Sequence, residues 1–189
     1  MVIIETALEG VFIIERKPIF DERGYFLEMW RRKQFDQSKI PVGSFVQDDI
    51  SFSKAGTLRG LHFQHPHDQG KLVWVNKGRV LDIVVDVRRG SPSYGKHISI
   101  ELLDNHHLQL WIPCGFAHGF LALEDTLIQY KCNDFYAPES AHTLLWSDPE
   151  LNIEWPKIGK EYVISSKDAA GKLLSEFTHK ELPDYSQPT

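Results

Sequence analysis

Two segments of the chain carry residue types that can move protons. One is Arg59-Gly60-Leu61-His62-Phe63-Gln64, followed soon after by Lys71. The other is Pro113-Cys114-Gly115-Phe116-Ala117-His118-Gly119-Phe120. Each sets a histidine beside glycine and aromatic residues, and each adjoins a run that reads as a strand. Imidazole exchanges protons near neutral pH with little tuning. A base beside fixed cations suits removal of a proton next to a carbonyl, where negative charge must be held on oxygen.

Taken singly, these residues have plainer readings. A lone histidine in a β core is more often a hydrogen-bonded packing residue, and His118 between glycines fits a tight turn. Arg59 and Gln64 flanking His62 shift the balance toward a site; the two-residue strand period puts Gln64 on the face of His62. Lys71 fits a solvated strand end, Arg23 in Asp21-Glu22-Arg23-Gly24 a turn arginine, and Tyr130 a cross-strand packing residue. His65-Pro66-His67 is a His-x-His pair to which His118 can add a third metal ligand. No glutamate follows at the usual spacing and Pro66 marks a loop, so solvated or structural roles are favoured there and no metal is expected.

The elements that must hold these residues read as β. The chain has 189 residues, 42% hydrophobic and 25% charged, which favours one soluble domain with a sizeable core. Strands are expected over 11–15, 25–29 and 45–49, then at regular intervals over 71–76, 80–87, 97–102, 108–112, 119–123 and 126–134. Gly78, Gly90-Ser91-Pro92, Asp104-Asn105, Pro113 and Glu124-Asp125 punctuate them. Such spacing favours a sandwich or jelly roll over an α/β fold. Short helices are expected over 31–39 and near 165–169. Asp82, Val84 and Asp86 fall on one strand face, so that face is partly wet or its carboxylates are paired. The tail after about Thr178 is polar and is expected to be loosely held.

The formal net charge of -5 argues against a generic nucleic-acid binder but leaves room for a local basic cluster around an anionic small molecule. Cys114 and Cys132 are the two cysteines. They make no disulfide framework and read as small buried residues in a reducing compartment. With no signal segment and no bilayer-spanning run, a cytoplasmic, unanchored protein is expected.

Together these segments resemble the dTDP-4-dehydrorhamnose 3,5-epimerase family. The likeness runs in order from about residue 3 to residue 174. It includes Asp21-Glu22-Arg23-Gly24-Tyr25-Phe26, Phe45-Val46-Gln47-Asp48, Leu58 to Gln64 and Gln69-Gly70-Lys71-Leu72-Val73. It continues through Ile112-Pro113, Gly115 to Phe120 with its cupin-like Pro-x-Gly-x-x-His spacing, Tyr130-Lys131-Cys132, Trp146-Ser147-Asp148-Pro149 and Ser166-Lys167-Asp168-Ala169.

The resemblance implies an all-β jelly roll (the cupin double-stranded β-helix) and a homodimer that works without metal or other cofactor. It implies a nucleotide-linked 4-keto sugar as substrate, with a dTDP sugar first. His62 is then the base, Asp168 its orienting partner, Tyr130 the acid on the opposite face of the sugar, and Lys71 the holder of the enolate oxygen. His118 and Arg59 would line the pocket. Arg23 and Glu28 would reach the nucleotide from a partner subunit, Tyr136 would stack on thymine, and Lys167 would bind substrate. Gln47 and Gln64 belong to matched segments and are expected at the substrate.

The implied reaction inverts C3 and C5 of a dTDP-4-keto-6-deoxyglucose toward dTDP-L-rhamnose. The alternative within this class is single-carbon epimerisation of another dTDP- or GDP-linked 4-keto sugar. A metal-dependent cupin using His65, His67 and His118 and a non-catalytic sugar-binding cupin are the competitors from other classes. Two departures bear on substrate recognition: Asp49 stands where the family usually has asparagine, and Ala141 where many members have glutamate.

Overall fold

The computed structural model describes residues 1–41 and 43–185. Fourteen strands dominate it: β1 (Val2–Glu5), β2 (Phe12–Glu15), β3 (Ile19–Asp21), β4 (Gly24–Phe26), β5 (Gln47–Ser53), β6 (Thr57–Gln64), β7 (Lys71–Lys77), β8 (Arg79–Asp86), β9 (His97–Leu103), β10 (Leu108–Ile112), β11 (Phe116–Ala122), β12 (Thr126–Cys132), β13 (Ala141–Thr143) and β14 (Val163–Ile164). Two short helices, α1 (Arg32–Asp36) and α2 (Ser166–Ala169), interrupt them.

The strands build two sheets. One runs β1-β2-β10-β7-β12-β5; the other runs β13-β6-β11-β8-β9, with β14 added beside β6. Except for the parallel β14–β6 pair, the named ladders are antiparallel. The hairpin β3–β4 stands apart from both sheets. This is the jelly-roll sandwich expected from the spacing of the strands and the cupin-type fold that the family resemblance implies.

Alternation along each strand sorts three apolar clusters. Val73, Val75, Val80, Val84, Leu110, Phe116, Phe120 and Ile128 fill the space between the sheets. Leu72, Trp74 and Trp111 point to the opposite face of the first sheet, where Phe35 of α1 and Ile40 cover them. Leu61, Phe63, Ile83, Val85 and Ala117 face outward from the second sheet, where Leu144, Leu151, Leu174, Phe177 and Leu182 of the C-terminal third close over them. By the same period Lys71 shares the inner face with Val73, Tyr130 with Ile128, and His118 with Phe116 and Phe120. The interior is therefore hydrocarbon at one end and polar at the other.

Several boundaries differ from the sequence reading. The first helix is shorter than 31–39: Arg31 gives it no side-chain cap, and Ser38 Oγ donates to the Phe35 carbonyl just past its end. Of the stretch 25–29 only Tyr25 and Phe26 pair as a strand, within β4 and against β3 alone. Strand β11 opens at Phe116, so His118 sits within a ladder and not in a turn. Of the tail expected to be loosely held, residues 179–185 dock instead, and residues 186–189 lie outside the described residues. Leu182 is buried, the Arg89 backbone bonds to Pro183 and Tyr185, and Tyr185 Oη donates to Glu9 at 2.8 Å. Leu182 and Pro183 are the buried residues of the segment, and Leu182 joins the apolar cover of the second sheet.

Candidate active site

A cleft opens between the inner faces of the two sheets in two adjoining chambers of about 320 and 190 Å³. His62, Lys71 and Tyr130 border both. The larger chamber adds Gln47, Asp49, Gln64, Tyr136 and Lys167; the smaller adds Arg59, His118 and Phe120. His62 and His118 come from the second sheet, Lys71, Tyr130 and Asp49 from the first. The imidazole and the phenol thus face the space from opposite walls.

His62 is fixed from outside the sheet. Its Nε2 lies 2.6 Å from Asp168 Oδ1. A carboxylate only accepts, so the imidazole donates through Nε2 and keeps Nδ1 as its basic nitrogen. Asp168 Oδ2 accepts from the Gly60 N–H at 3.3 Å, and the Asp168 N–H donates to Ser165 Oγ, the N-cap of α2. Burial pushes the Asp168 carboxyl up, but the bonds from His62, Gly60 and Ser165 outweigh it and hold the group below its ordinary value.

A second imidazole–carboxylate pair lies beside it. His118 is the cross-strand partner of His62, and its Nε2 donates to Asp82 Oδ2 at 2.8 Å. Asp82 is fully buried, and burial raises its pKa against the pull of His118 and Lys71. The other oxygen of Asp82 has no hydrogen-bond partner among the described residues.

Lys71 is half-buried. Burial pulls its ammonium below the ordinary lysine value, while Cys132, Asp82 and Asp49 act to keep it charged. Tyr130 is pushed up to about 12, first by burial and then by the charge of Asp49. Its phenol therefore stays protonated at neutral pH and can serve as an acid. Cys132 is buried and pushed up to about 11 by burial, so it is a thiol and not a nucleophile. Cys114 is half-buried and also free.

Gln64 is an organiser. Its amide donates to the carbonyls of His67 and Phe135, and its oxygen takes the Ala137 N–H at 3.0 Å. Gln47 Oε1 takes the Tyr136 N–H at 2.9 Å. Both glutamines pin the loop carrying Tyr136, which is exposed at the mouth of the larger chamber. Arg59 donates to Ser53 Oγ and the Phe52 carbonyl.

Two expected residues do not reach the cleft within one chain. Arg23 sits in the exposed β3–β4 turn, bonded to Asp21. Glu28 pairs with Arg31 and borders a separate cavity with Arg16. Neither residue borders either chamber of the cleft.

Two of the three residues weighed as metal ligands are engaged elsewhere. His65 bonds Asp68 at 3.2 Å and His118 bonds Asp82. Among the described residues no group of three or more His, Cys, Asp or Glu side chains is placed to hold an ion. Asp82 was not foreseen as part of the site. Its place on a strand face signalled a need for a partner, but the β8–β11 ladder that supplies His118 is a long-range pairing.

The model of a family described as dTDP-4-dehydrorhamnose 3,5-epimerase matches residues 5–176. A protein of that name from Methanothermobacter thermautotrophicus is 44% identical over 175 residues, covering 92% of this chain and 94% of the relative. One from Salmonella typhimurium is 42% identical, covering 93% and 97%. The crystal structure of a dTDP-6-deoxy-D-glucose-3,5-epimerase from Legionella pneumophila, in complex with dTDP-4-keto-L-rhamnose, superposes with a TM-score of 0.94 at 44% identity, over 98% of each chain.

Proposed function

The chain belongs to the dTDP-4-dehydrorhamnose 3,5-epimerase family, and from that membership we propose how its cleft inverts C3 and C5 of dTDP-4-dehydro-6-deoxy-D-glucose to give dTDP-4-dehydro-L-rhamnose. The protein is an isomerase of dTDP-L-rhamnose formation. The observation that carries the residue assignments is the His62–Asp168 pair on one wall of a cleft whose other wall holds Tyr130 and Lys71.

The C4 ketone acidifies the hydrogens on C3 and C5, yet they remain far weaker acids than imidazolium. Each pK unit of mismatch is about 1.36 kcal/mol. Histidine needs help, and the Lys71 ammonium supplies it by holding the enolate oxygen from the opposite wall of the cleft. Nδ1 of His62 takes the proton from carbon, and Asp168 stabilises the imidazolium that forms. Tyr130 then gives its phenolic proton to the same carbon from the other face. The imidazolium releases its proton and the phenolate regains one, so each inversion is proton-neutral. The same groups act on the second carbon.

Arg59 and Lys167 bring positive charge to the mouths of the two chambers, where they suit the diphosphate. Tyr136 offers an exposed ring for the base. A homodimer completes the reading. Ile19, Phe20, Tyr25 and Phe26 of the β3–β4 hairpin are each more than half exposed, and a second copy covering them would bring Arg23 and Glu28 toward its own nucleotide.

Turnover of the dTDP substrate in deuterium oxide, followed by NMR, tests the reading. Deuterium at both C3 and C5 with inversion at both is the expected result. Incorporation at one carbon only would make the protein a single-site epimerase, and incorporation at neither would overturn the assignment.

A further inference from the structure

Among the described residues lining the two chambers, only Asp49 carries a carboxylate. Strand β5 sends the adjacent Asp48 and Asp49 to opposite faces. Asp48 accepts from Lys131 Nζ at 2.5 Å and Gln129 Nε2 at 3.0 Å, so its charge is matched. Asp49 stands directly across the ladder from Tyr130. Its Oδ2 accepts from Gln47 Nε2 at 2.6 Å, which orients the side chain. Its Oδ1 accepts from no described residue, and no described cation pairs with it.

A carboxylate in a pocket for an anionic nucleotide works against the diphosphate, so it needs a donor on the ligand. It accepts and cannot donate. A 4-keto-6-deoxyhexose joined through C1 to a diphosphate has donors on its ring only at C2 and C3. The C3 hydroxyl changes direction when C3 inverts. The C2 hydroxyl keeps its configuration through both inversions and suits a fixed acceptor.

Building on the epimerase reading above, we propose that Asp49 is a specificity-determining residue whose free Oδ1 accepts the C2 hydroxyl of the sugar beside Tyr130. The same charge guards the acid. Asp49 and Cys132 favour the neutral phenol of Tyr130 while Arg59 works against it. On the same wall Asp49 favours the charged form of Lys71, and Asp82 does so from the opposite wall. Removing the charge at 49 therefore brings deprotonation of both groups to lower pH.

The test compares wild type, Asp49→Ala and Asp49→Asn on the keto sugar and its 2-deoxy analogue, with dTDP binding measured alongside. Wild type is expected to favour the 2-hydroxy substrate by at least about tenfold in kcat/KM, and Asp49→Ala to lose most of that preference. Affinity for dTDP alone should hold or rise in both variants. The alkaline limb of kcat should move to lower pH in Asp49→Asn, whose near-identical shape guards against misfolding. An unchanged preference in Asp49→Ala overturns the proposal. So does a fall in dTDP affinity that matches the fall in kcat/KM, since the contact would then be to the nucleotide. Deuterium exchange by the wild type separates the cases: its absence sinks the epimerase reading, whereas its presence with an unchanged preference sinks only the role of Asp49.

Discussion

His62 and His118 are cross-strand partners, and each imidazole is held by its own carboxylate, Asp168 for the first and Asp82 for the second. The pairs are alike in chemistry and different in access. The His62 side chain is 39% exposed and that of His118 is 10% exposed. Only His62 combines an oriented ring with an open basic nitrogen. His118 and Asp82 form a wall that also holds charge opposite Lys71.

Loss of the proposed base should therefore be severe. His62→Ala is expected to lower kcat by about 10²–10⁴. Asp168→Asn should cost a comparable factor, because the amide can turn its NH2 toward Nε2 and favour the wrong tautomer. Calorimetry with dTDP is the control: affinity should stay near wild type in both.

Tyr130→Phe separates proton removal from inversion. The ring still packs, but no proton can be delivered from that wall. His62 continues to take and return a proton on its own face, so deuterium enters without a change of configuration. NMR of the recovered sugar should show labelled but uninverted carbon. Inversion at the wild-type rate would remove Tyr130 from the mechanism.

The strands and much of this constellation were legible because β alternation is local. Lys71, Val73 and Val75, or Ile128 and Tyr130, declare a shared face in the sequence. Who stands opposite whom was not legible. The pairing of His118 with Asp82 and of Asp49 with Tyr130 is set by ladders between distant segments. The family motifs reached Asp168 as the partner of His62, whereas no local pattern shows that a short helix capped by Ser165 would bring it there. The docking of residues 179–185 was missed for a related reason: Leu182 and Pro183 are too few to signal burial until the face they cover is known.

Lys71 should set the alkaline limit of turnover. Its ammonium must be charged to hold the enolate oxygen, and burial lowers its pKa from 10.5. Tyr130, at about 12, stays protonated beyond that point. The rate should fall as pH rises through the lowered lysine value. Lys71→Met should cost about 10²–10³ in kcat. Lys71→Arg should be slower than wild type yet keep its charge to higher pH, moving the limb upward. An alkaline limb unchanged in Lys71→Arg would assign the limit to another group.

Asp86 offers a stability test remote from the chemistry. This buried carboxylate accepts from Arg88 Nε at 2.9 Å and Nη2 at 2.7 Å, and from the hydroxyls of Ser91 and Ser93. The Arg88 guanidinium lies over the rings of Phe116 and Tyr185. Burial pushes Asp86 up, but these bonds prevail and hold it below 3.8. A lowered carboxylate stabilises the fold above its unfolded pKa and loses that contribution as pH falls through the folded one. Arg88→Ala should cost about 3–5 kcal/mol at pH 7 by stranding the buried charge. Asp86→Asn should flatten the acid loss of stability seen in wild type. Urea unfolding across pH reads both, and KM should not move.

Gly60 and Gly119 test whether the close approach of β6 and β11 positions the two histidines. A Cβ on Gly60 would lie 2.6 Å from Gly119 Cα and 2.8 Å from the His118 carbonyl oxygen; one on Gly119 would lie 2.5 Å from the Arg59 carbonyl oxygen. These are backbone atoms, and they cannot swing aside as a side chain can. Gly60 also has φ 114°, a conformation that L side chains rarely adopt. Gly60→Ala thus combines backbone strain with overlap and should cost at least about 2 kcal/mol. Gly119→Ala has overlap alone and should cost about 1–3 kcal/mol. Either change spreads the strands between Arg59 and His62, so the folded fraction should lose kcat as well as stability. Urea midpoints at constant slope, read beside kcat per folded molecule, decide the point. A variant that is destabilised but fully active would mean that the strand contact holds the sheet together without setting the geometry of the base.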